Sequence, residues 1–310
     1  MRILIIGLGS IGKKHFNVLK GLFNNIDVFA IRSNKTTELH SGIINIFSYD
    51  EINDLNFDFA IISNPSVFHL ETVSNLIKYK VPMFIEKPLF SSLDYNNVIK
   101  KINEENIFTY VACNLRFLDC IKFVNKKLSE GFNEKLNEVN VYCGSYLPDW
   151  RPKTDYRNTY SSNKKLGGGV HLDLIHELDY VYWLFGKPKK VFRRLRNQSS
   201  LDINSYDYAN YLLDYEEFSA NIILNYFRKD AKRNFELVFE NETWNINLLE
   251  NNIKKNDKVI FSSNQSINDT YVSQMSYFVK ALKNINQESL NSVNDAYEVL
   301  KICLENDIER

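Results

Sequence analysis

The first dozen residues constrain the fold most. Ile3–Ile6 is an uninterrupted apolar run, and Gly7-Leu8-Gly9-Ser10-Ile11-Gly12 follows at once. Ile11, Val18, Leu19, Leu22 and Phe23 then recur at helical spacing. A continuous apolar run suits a parallel strand covered on both faces. A lone Gly-x-Gly-x-x-Gly is a weak signal, but here it joins a strand to an amphipathic helix, the context that gives it meaning. Gly7 permits the tight turn, Gly9 lets a pyrophosphate approach the backbone, and Gly12 lets helix and strand pack closely. The helix N-terminus adds N–H groups and a partial positive charge. Gly7, Gly9, Ser10, Ile11 and Gly12 are therefore expected to bind a dinucleotide.

The first third continues as strand and helix in alternation. Further strands are predicted at Asp27–Ile31, Phe57–Ile62, Met83–Ile85 and Phe108–Ala112, with helices near 66–79 and 93–105. That alternation predicts an α/β Rossmann domain over 1–118 with a doubly wound parallel sheet. Beyond it the period changes. Phe218, Ala220, Ile222, Leu224 and Tyr226 alternate with polar residues, and Phe235, Leu237 and Phe239 do the same. Such alternation predicts a large, mostly antiparallel sheet with one covered face. An α+β domain is thus expected over 119–310, with helices near 118–129, 169–185, 270–284 and 293–309 and a surface loop or hairpin over 250–269.

Lys+Arg and Asp+Glu are both 38, so the formal net charge is zero. Nothing pulls the whole molecule toward nucleic acid or an anionic membrane. Cys113, Cys120, Cys143 and Cys303 show no CxxC spacing and read as reduced thiols of a cytoplasmic protein. The first apolar run is too short for a signal peptide or a membrane span. No histidine/cysteine cluster suggests a metal.

Cofactor choice is read after the second strand. An acidic residue there binds the ribose hydroxyls in NAD-specific domains; this chain has Arg32-Ser33-Asn34-Lys35. A carboxylate ~4 Å from a 2′-phosphate would repel it by about 4 kcal/mol per unit charge at an effective dielectric of 20. Its absence favours NADP(H), with NAD(H) possible, and marks Arg32 and Ser33 as cofactor residues. Asn64-Pro65, Glu86-Lys87-Pro88 and Asn114 fall at carboxyl ends of successive strands, the edge where open α/β sheets bind ligands.

The Gly7–Gly12 motif, Ser63-Asn64-Pro65-Ser66-Val67-Phe68-His69, Glu86-Lys87-Pro88 and Gly167-Gly168-Gly169-x-x-x-Asp173-x-x-His176 occur in that order. Together they resemble the glucose–fructose oxidoreductase/inositol dehydrogenase (Gfo/Idh/MocA) family over most of the chain. The resemblance implies NAD(P)-dependent oxidation or reduction of a CH–OH group, with Lys87, Asp173 and His176 beside the nicotinamide. It places His69 on the cofactor side, where the position of Glu86 at a strand end also puts that residue. It also implies a homodimer or homotetramer formed through the C-terminal sheet. Many members separate the Asp and His by four positions, whereas here they are three apart; on one continuous helix they would still share a face, joined by Tyr180. In chemical terms His176 is suited to take the hydroxyl proton, Lys87 to hydrogen-bond the same oxygen, and Asp173 to orient His176 or bind another hydroxyl.

The stretch 147–166 leads into the triple glycine and carries Arg151, Lys153, Arg157, Lys164 and Lys165 beside Trp150, Tyr156 and Tyr160. Arginines bind carboxylate or phosphate in a fork, and aromatic faces stack on rings. Arg151, Tyr156, Arg157 and Tyr160 are expected to bind substrate. Similarity to family members of bacterial surface-glycan biosynthesis implies a nucleotide sugar or acidic sugar. Two other functions fit the same residues: an epimerase or lyase that keeps its cofactor bound, and a non-catalytic dinucleotide sensor.

Overall fold

The computed structural model of the chain describes residues 1–32, 40–53, 55–94, 96–131, 134–284, 288–305 and 308–309. It divides into two compact units that are not contiguous in sequence: Met1–Asn114 with Tyr271–Leu300, and Leu115–Thr270 with Lys301–Arg310. A linear division at 118 would have left residues 271–300 in the second domain.

The first unit is built on a parallel sheet of β1 (Arg2–Ile6), β2 (Asp27–Ile31), β3 (Ile44–Ile46), β4 (Phe59–Ile62), β5 (Met83–Ile85) and β6 (Thr109–Val111). Their order is β3-β2-β1-β4-β5-β6, so chain direction across the sheet reverses between β1 and β4. β3 was not expected. It is a three-residue edge strand with Ile44 half exposed, too short to show a period. β1 is paired on both sides, and Ile3, Leu4 and Ile5 are wholly buried. Helix α1 (Ser10–Leu22) turns Gly12, His15, Phe16 and Leu19 inward, an i, i+3, i+4, i+7 stripe. α2 (His69–Ile77) and α3 (Asn96–Glu104) follow β4 and β5.

Residues 271–300 belong to this unit for physical reasons. Phe278 lies edge-on to Phe59 and Phe84, with ring centroids 5.1 and 5.3 Å away. Asn291 exchanges hydrogen bonds of 2.8 and 2.9 Å with the backbone of Val111, closing the outer edge of β6. An edge strand left open would expose those groups.

The second unit holds one sheet in the order β14-β13-β12-β11-β7-β10-β9-β8-β15. The strands are β7 (Leu136–Gly144), β8 (Lys190–Arg196), β9 (Tyr208–Asp214), β10 (Ser219–Asn225), β11 (Lys232–Phe239), β12 (Thr243–Asn247), β13 (Asn252–Lys255), β14 (Lys258–Ser262) and β15 (Ile308–Glu309). All pairs are antiparallel except β7 with β10. One face is buried through Val141, Tyr211, Ile222, Leu224, Phe235 and Leu237. α4 (Asp119–Glu130) and α6 (His176–Phe185) lie on it, with Phe123 against Trp244 and Tyr180 against Phe235. Amide side chains bridge strands on the other face, Asn210 to Asn221 at 2.8 Å and Asn234 to Asn245 at 3.2 Å.

Two expectations change. The helix expected over 169–185 is two pieces, α5 (Val170–Asp173) and α6, separated by Leu174 and Ile175. Of the last two helices, α7 (Ile267–Leu282) and α8 (Val293–Leu304), the second ends before Ile308–Glu309, which pair with β8.

Candidate active site

The cofactor end of the first unit is assembled at the carboxyl edge of β1, β4, β5 and β6. At Gly7, with φ +90°, an added Cβ would lie 2.3 Å from the Asn64 backbone nitrogen, and at Gly12 it would lie 2.2 Å from the Gly7 carbonyl oxygen. Both positions are closed by the chain's own packing. At Gly9 nothing lies within 4 Å. The chain therefore leaves open the one glycine position that a pyrophosphate must approach. Gly9 caps α1 without a side-chain hydrogen bond, and the first turn holds no acidic residue. Ser10 and Ile11 open that turn, whose first N–H groups have no acceptor within the helix. This cradle fits a dinucleotide phosphate.

Arg32 stands at the end of β2, half-buried, with its guanidinium donating to Asn45 Oδ1 at 3.1 Å. Ser33 lies outside the described residues, as does Lys35. Ser63 Oγ donates to the Gly7 carbonyl at 2.7 Å, and Asn64 Nδ2 donates to Thr72 Oγ1 at 2.8 Å. Pro65 is exposed after it, and Asn114 is buried beyond the end of β6.

His69 and Glu86 are both buried at this carboxyl edge. His69 is buried, with Nδ1 3.0 and 3.1 Å from the Pro88 and Leu89 carbonyls and Nε2 2.9 Å from that of Asn64. It braces the turn after β4 against the turn after β5. Burial pushes its pKa below the ordinary histidine value, against the pull of those carbonyls. Glu86 is also buried, with its carboxylate 2.6 Å from His15 Nε2. Lys87 follows, half-buried, its Lys87–Pro88 peptide cis. His15 is not among the expected site residues, although the inward stripe of α1 points to it.

In the second unit the triple glycine serves close packing. A Cβ on Gly168 would lie 1.9 Å from the Tyr160 carbonyl oxygen, and Gly169 has φ +132°. Asp173 is buried at the end of α5 and accepts from Tyr226 Oη at 2.5 Å. Burial raises the Tyr226 phenol well above its ordinary pKa, and the Asp173 charge raises it further; Tyr160 is raised by the same two causes. Asp173 thus sits among phenols that remain protonated hydrogen-bond donors. Sequence reading had Tyr226 as a core residue, since a strand pattern shows burial and not the partner of a hydroxyl.

His176 opens α6, half-buried. The break at Leu174–Ile175 removes the continuous-helix argument for a shared face with Asp173. Two acidic residues on α6 are buried and paired. Glu177 accepts from Arg233 Nε and Nη2 at 2.6 and 3.1 Å, and Asp179 from Arg116 Nε and Nη2 at 2.8 and 2.7 Å. Burial opposes the Arg233 charge, but Glu177 holds its pKa above the ordinary value. Neither pair was foreseen, because the partners lie 63 and 56 residues away.

The stretch 147–166 folds as short 3-10 turns. The Arg151 guanidinium lies 5.5 Å from the Tyr160 ring centre. Arg157 is instead forked onto Asp155, with contacts of 3.0 and 3.1 Å, both side chains exposed. Tyr156 Oη donates to the Leu201 carbonyl at 2.9 Å. Of the four expected substrate residues, Arg151 and Tyr160 stand together, while Arg157 is engaged by Asp155 and Tyr156 by the Leu201 carbonyl. Lys229, not considered from sequence, sits 3.1 Å over the ring of Tyr146. Among the described residues no group of three His, Cys, Asp or Glu side chains could hold a metal, and no helix is long and apolar enough to cross a membrane. All four cysteines are free and buried, and burial pushes the Cys120 thiol up to about 12.

The profile of an oxidoreductase family with an NAD-binding Rossmann fold matches residues 1–111, and that of the GFO/IDH/MocA C-terminal domain matches 124–244. The chain belongs to the GFO/IDH/MocA oxidoreductase family. Among curated relatives it is 25% identical over 230 residues to the NADP(+)-dependent scyllo-inositol 2-dehydrogenase IolW of Bacillus subtilis, covering 71% of this chain and 61% of that one. The chain therefore spans about three-fifths of that relative's length. Two solved structures share its fold. UDP-N-acetylglucosamine 3-dehydrogenase GnnA of Acidithiobacillus ferrooxidans superposes with a TM-score of 0.78 at 16% identity, covering 98% of this chain and 96% of that one. The WlbA dehydrogenase of Bordetella pertussis, solved with NADH and UDP-GlcNAcA, gives 0.80 at 14% identity, covering 97% and 93%.

Proposed function

We propose that the chain is an NAD(P)-dependent oxidoreductase that moves a hydride between the nicotinamide and a hydroxyl-bearing carbon of a sugar, NADP(H) being the preferred cofactor. The observation that carries this reading is the phosphate cradle: Gly9 is open where Gly7 and Gly12 are closed, at an uncapped helix start, with Lys87 on the same sheet edge. The bound nicotinamide supplies a hydride acceptor at its ring. The protein's own part is to hold and deprotonate the alcohol. Lys87 donates a hydrogen bond to the reacting oxygen and stabilises its developing charge. His176 takes the hydroxyl proton. Asp173, held by Tyr226, fixes a neighbouring hydroxyl of the sugar.

The substrate we favour is anionic, a nucleotide sugar or acidic sugar of bacterial glycan biosynthesis. Arg151 beside Tyr160 offers a cation and a ring face, and the names of GnnA and WlbA agree with that class. Arg157 carries less of this reading than Arg151, because Asp155 already offsets its charge. The buried thiols fit a cytoplasmic location. A second copy of the chain would cover the open sheet face, where Phe192 and Leu212 are cross-strand neighbours and nearly half exposed.

The test combines calorimetry with a substrate panel. NADPH is expected to bind more tightly than NADH, and Arg32→Ala to reduce that preference about tenfold or more, the scale of one charge-assisted hydrogen bond. UDP-N-acetylglucosamine and its uronate are expected to reduce the cofactor faster than neutral scyllo-inositol. Equal or tighter NADH binding would overturn the cofactor preference, and inositol as the better substrate would overturn the anionic one.

A further inference from the structure

His15 is completely buried, and its Nε2 lies 2.6 Å from Glu86 Oε1, 71 residues away in sequence. The other carboxylate oxygen, Oε2, accepts from the Lys87 backbone N–H at 3.3 Å. A single carboxylate therefore links a ring on α1 to the backbone of the residue that carries the proposed active ammonium. The tautomer follows from the second ring nitrogen. His15 Nδ1 is buried without a hydrogen-bond partner. An orphaned N–H is rarer than an unused lone pair, so the proton sits on Nε2 and His15 donates to Glu86. Phe84 packs edge-on to the ring at 4.9 Å, and the Tyr271 ring lies 6.2 Å away. The ring is fixed by this aromatic packing.

We infer that His15 is a positioning residue: through Glu86 it holds the Lys87 backbone, and so the ammonium, in its working place. The inference rests on the reading of Lys87 given above. The geometry explains why both residues are buried at a ligand-binding edge. Glu86 directs one oxygen inward to α1 and the other along the chain to its neighbour. Without the His15 donor, Oε1 of the buried carboxylate would lose its hydrogen bond, and the group would turn toward water or toward another donor. The amide of Lys87 would then lose its acceptor as well.

The experiment compares the full-length chain with His15→Phe, which fills the space without a donor, and His15→Gln, whose amide nitrogen replaces Nε2–H. Hydrogen exchange followed by mass spectrometry reads the backbone directly. In His15→Phe the Lys87 amide is expected to exchange about tenfold faster or more, while those of Ile61, Ile62 and Ile85 in the sheet keep their protection. Turnover of UDP-N-acetylglucosamine is expected to fall about 10²-fold, the scale of a small misplacement of a reacting group, with NADPH affinity changed less than threefold. His15→Gln is expected to restore most of both. Unchanged Lys87 exchange in His15→Phe overturns the inference, as does equal loss of protection across the sheet or failure of His15→Gln to rescue. Lys87→Ala, measured alongside, separates the two readings. Normal turnover in Lys87→Ala refutes the role of Lys87 while the exchange result still decides the clamp. A large loss in Lys87→Ala with normal turnover in His15→Phe refutes the positioning role alone.

Discussion

At the scale of single residues, the proposed site relies on side chains given different roles although their exposure is similar. Lys87 and His176 are both half-buried, one after a strand and one opening a helix. Lys87→Ala is expected to leave NADPH affinity within about threefold and to lower turnover about 10²-fold, because the role proposed for the lost group is at the reacting oxygen and not at the phosphates. Binding by fluorescence and rate by reduced-nicotinamide absorbance check this together; a parallel loss of both would make Lys87 a cofactor anchor. Lys87 could be picked out from the sequence because the Glu-Lys-Pro turn closes a strand. The partners of His15 and Tyr226 could not, because a buried residue's partner in space leaves no local pattern.

At the scale of elements, α6 is the part of the second unit that presents His176, and two buried ion pairs hold it. Removing one partner leaves an uncompensated charge, which costs about 3–5 kcal/mol, whereas replacing both with apolar residues can be close to neutral. Glu177→Leu alone is therefore expected to lower the unfolding free energy by about 3 kcal/mol or more, and Glu177→Leu with Arg233→Met to recover most of it. Urea unfolding of the two variants decides the point; additive losses would mean that Glu177 and Arg233 are not coupled. The break between α5 and α6 belongs to the same scale. A helical period ran through 169–185, but Leu174 and Ile175 form a turn there, so the first helix ends at Asp173.

For the whole molecule, two buried histidines contribute to the response to acid. Burial drives the His171 pKa from an ordinary 6.5 to about 3, with the positive charges of Arg193 and Lys164 adding to the effect. The unfolded chain therefore binds the proton more readily than the folded one between these values. The stability this group contributes is complete above about pH 6.5 and is lost progressively as the pH falls toward 3. His69, lowered by burial as well, acts in the same direction. Thermal midpoints are expected to drop steadily below about pH 6.5, and less steeply in His171→Phe. A wild-type profile flat from pH 6.5 to 4.5 would show that neither histidine is held neutral by the fold.

What the sequence determined and what it left to tertiary structure follow one physical division. Period, turn chemistry and strand ends are local, so the glycine cradle, the parallel sheet of the first unit, the alternating strands β10 and β11 and the Glu-Lys-Pro turn could all be read along the chain. Arg32 and the missing acid after β2 could be read in the same way. Pairing between distant residues is not local. Only the folded chain brought Phe278 and Asn291 into the first unit, set Arg233 on Glu177, gave Asp173 its phenol and turned His69 and Glu86 inward to brace the cofactor edge. Each of these is a buried polar or aromatic group whose stability depends on finding a complementary partner, and the chain can supply that partner from any distance.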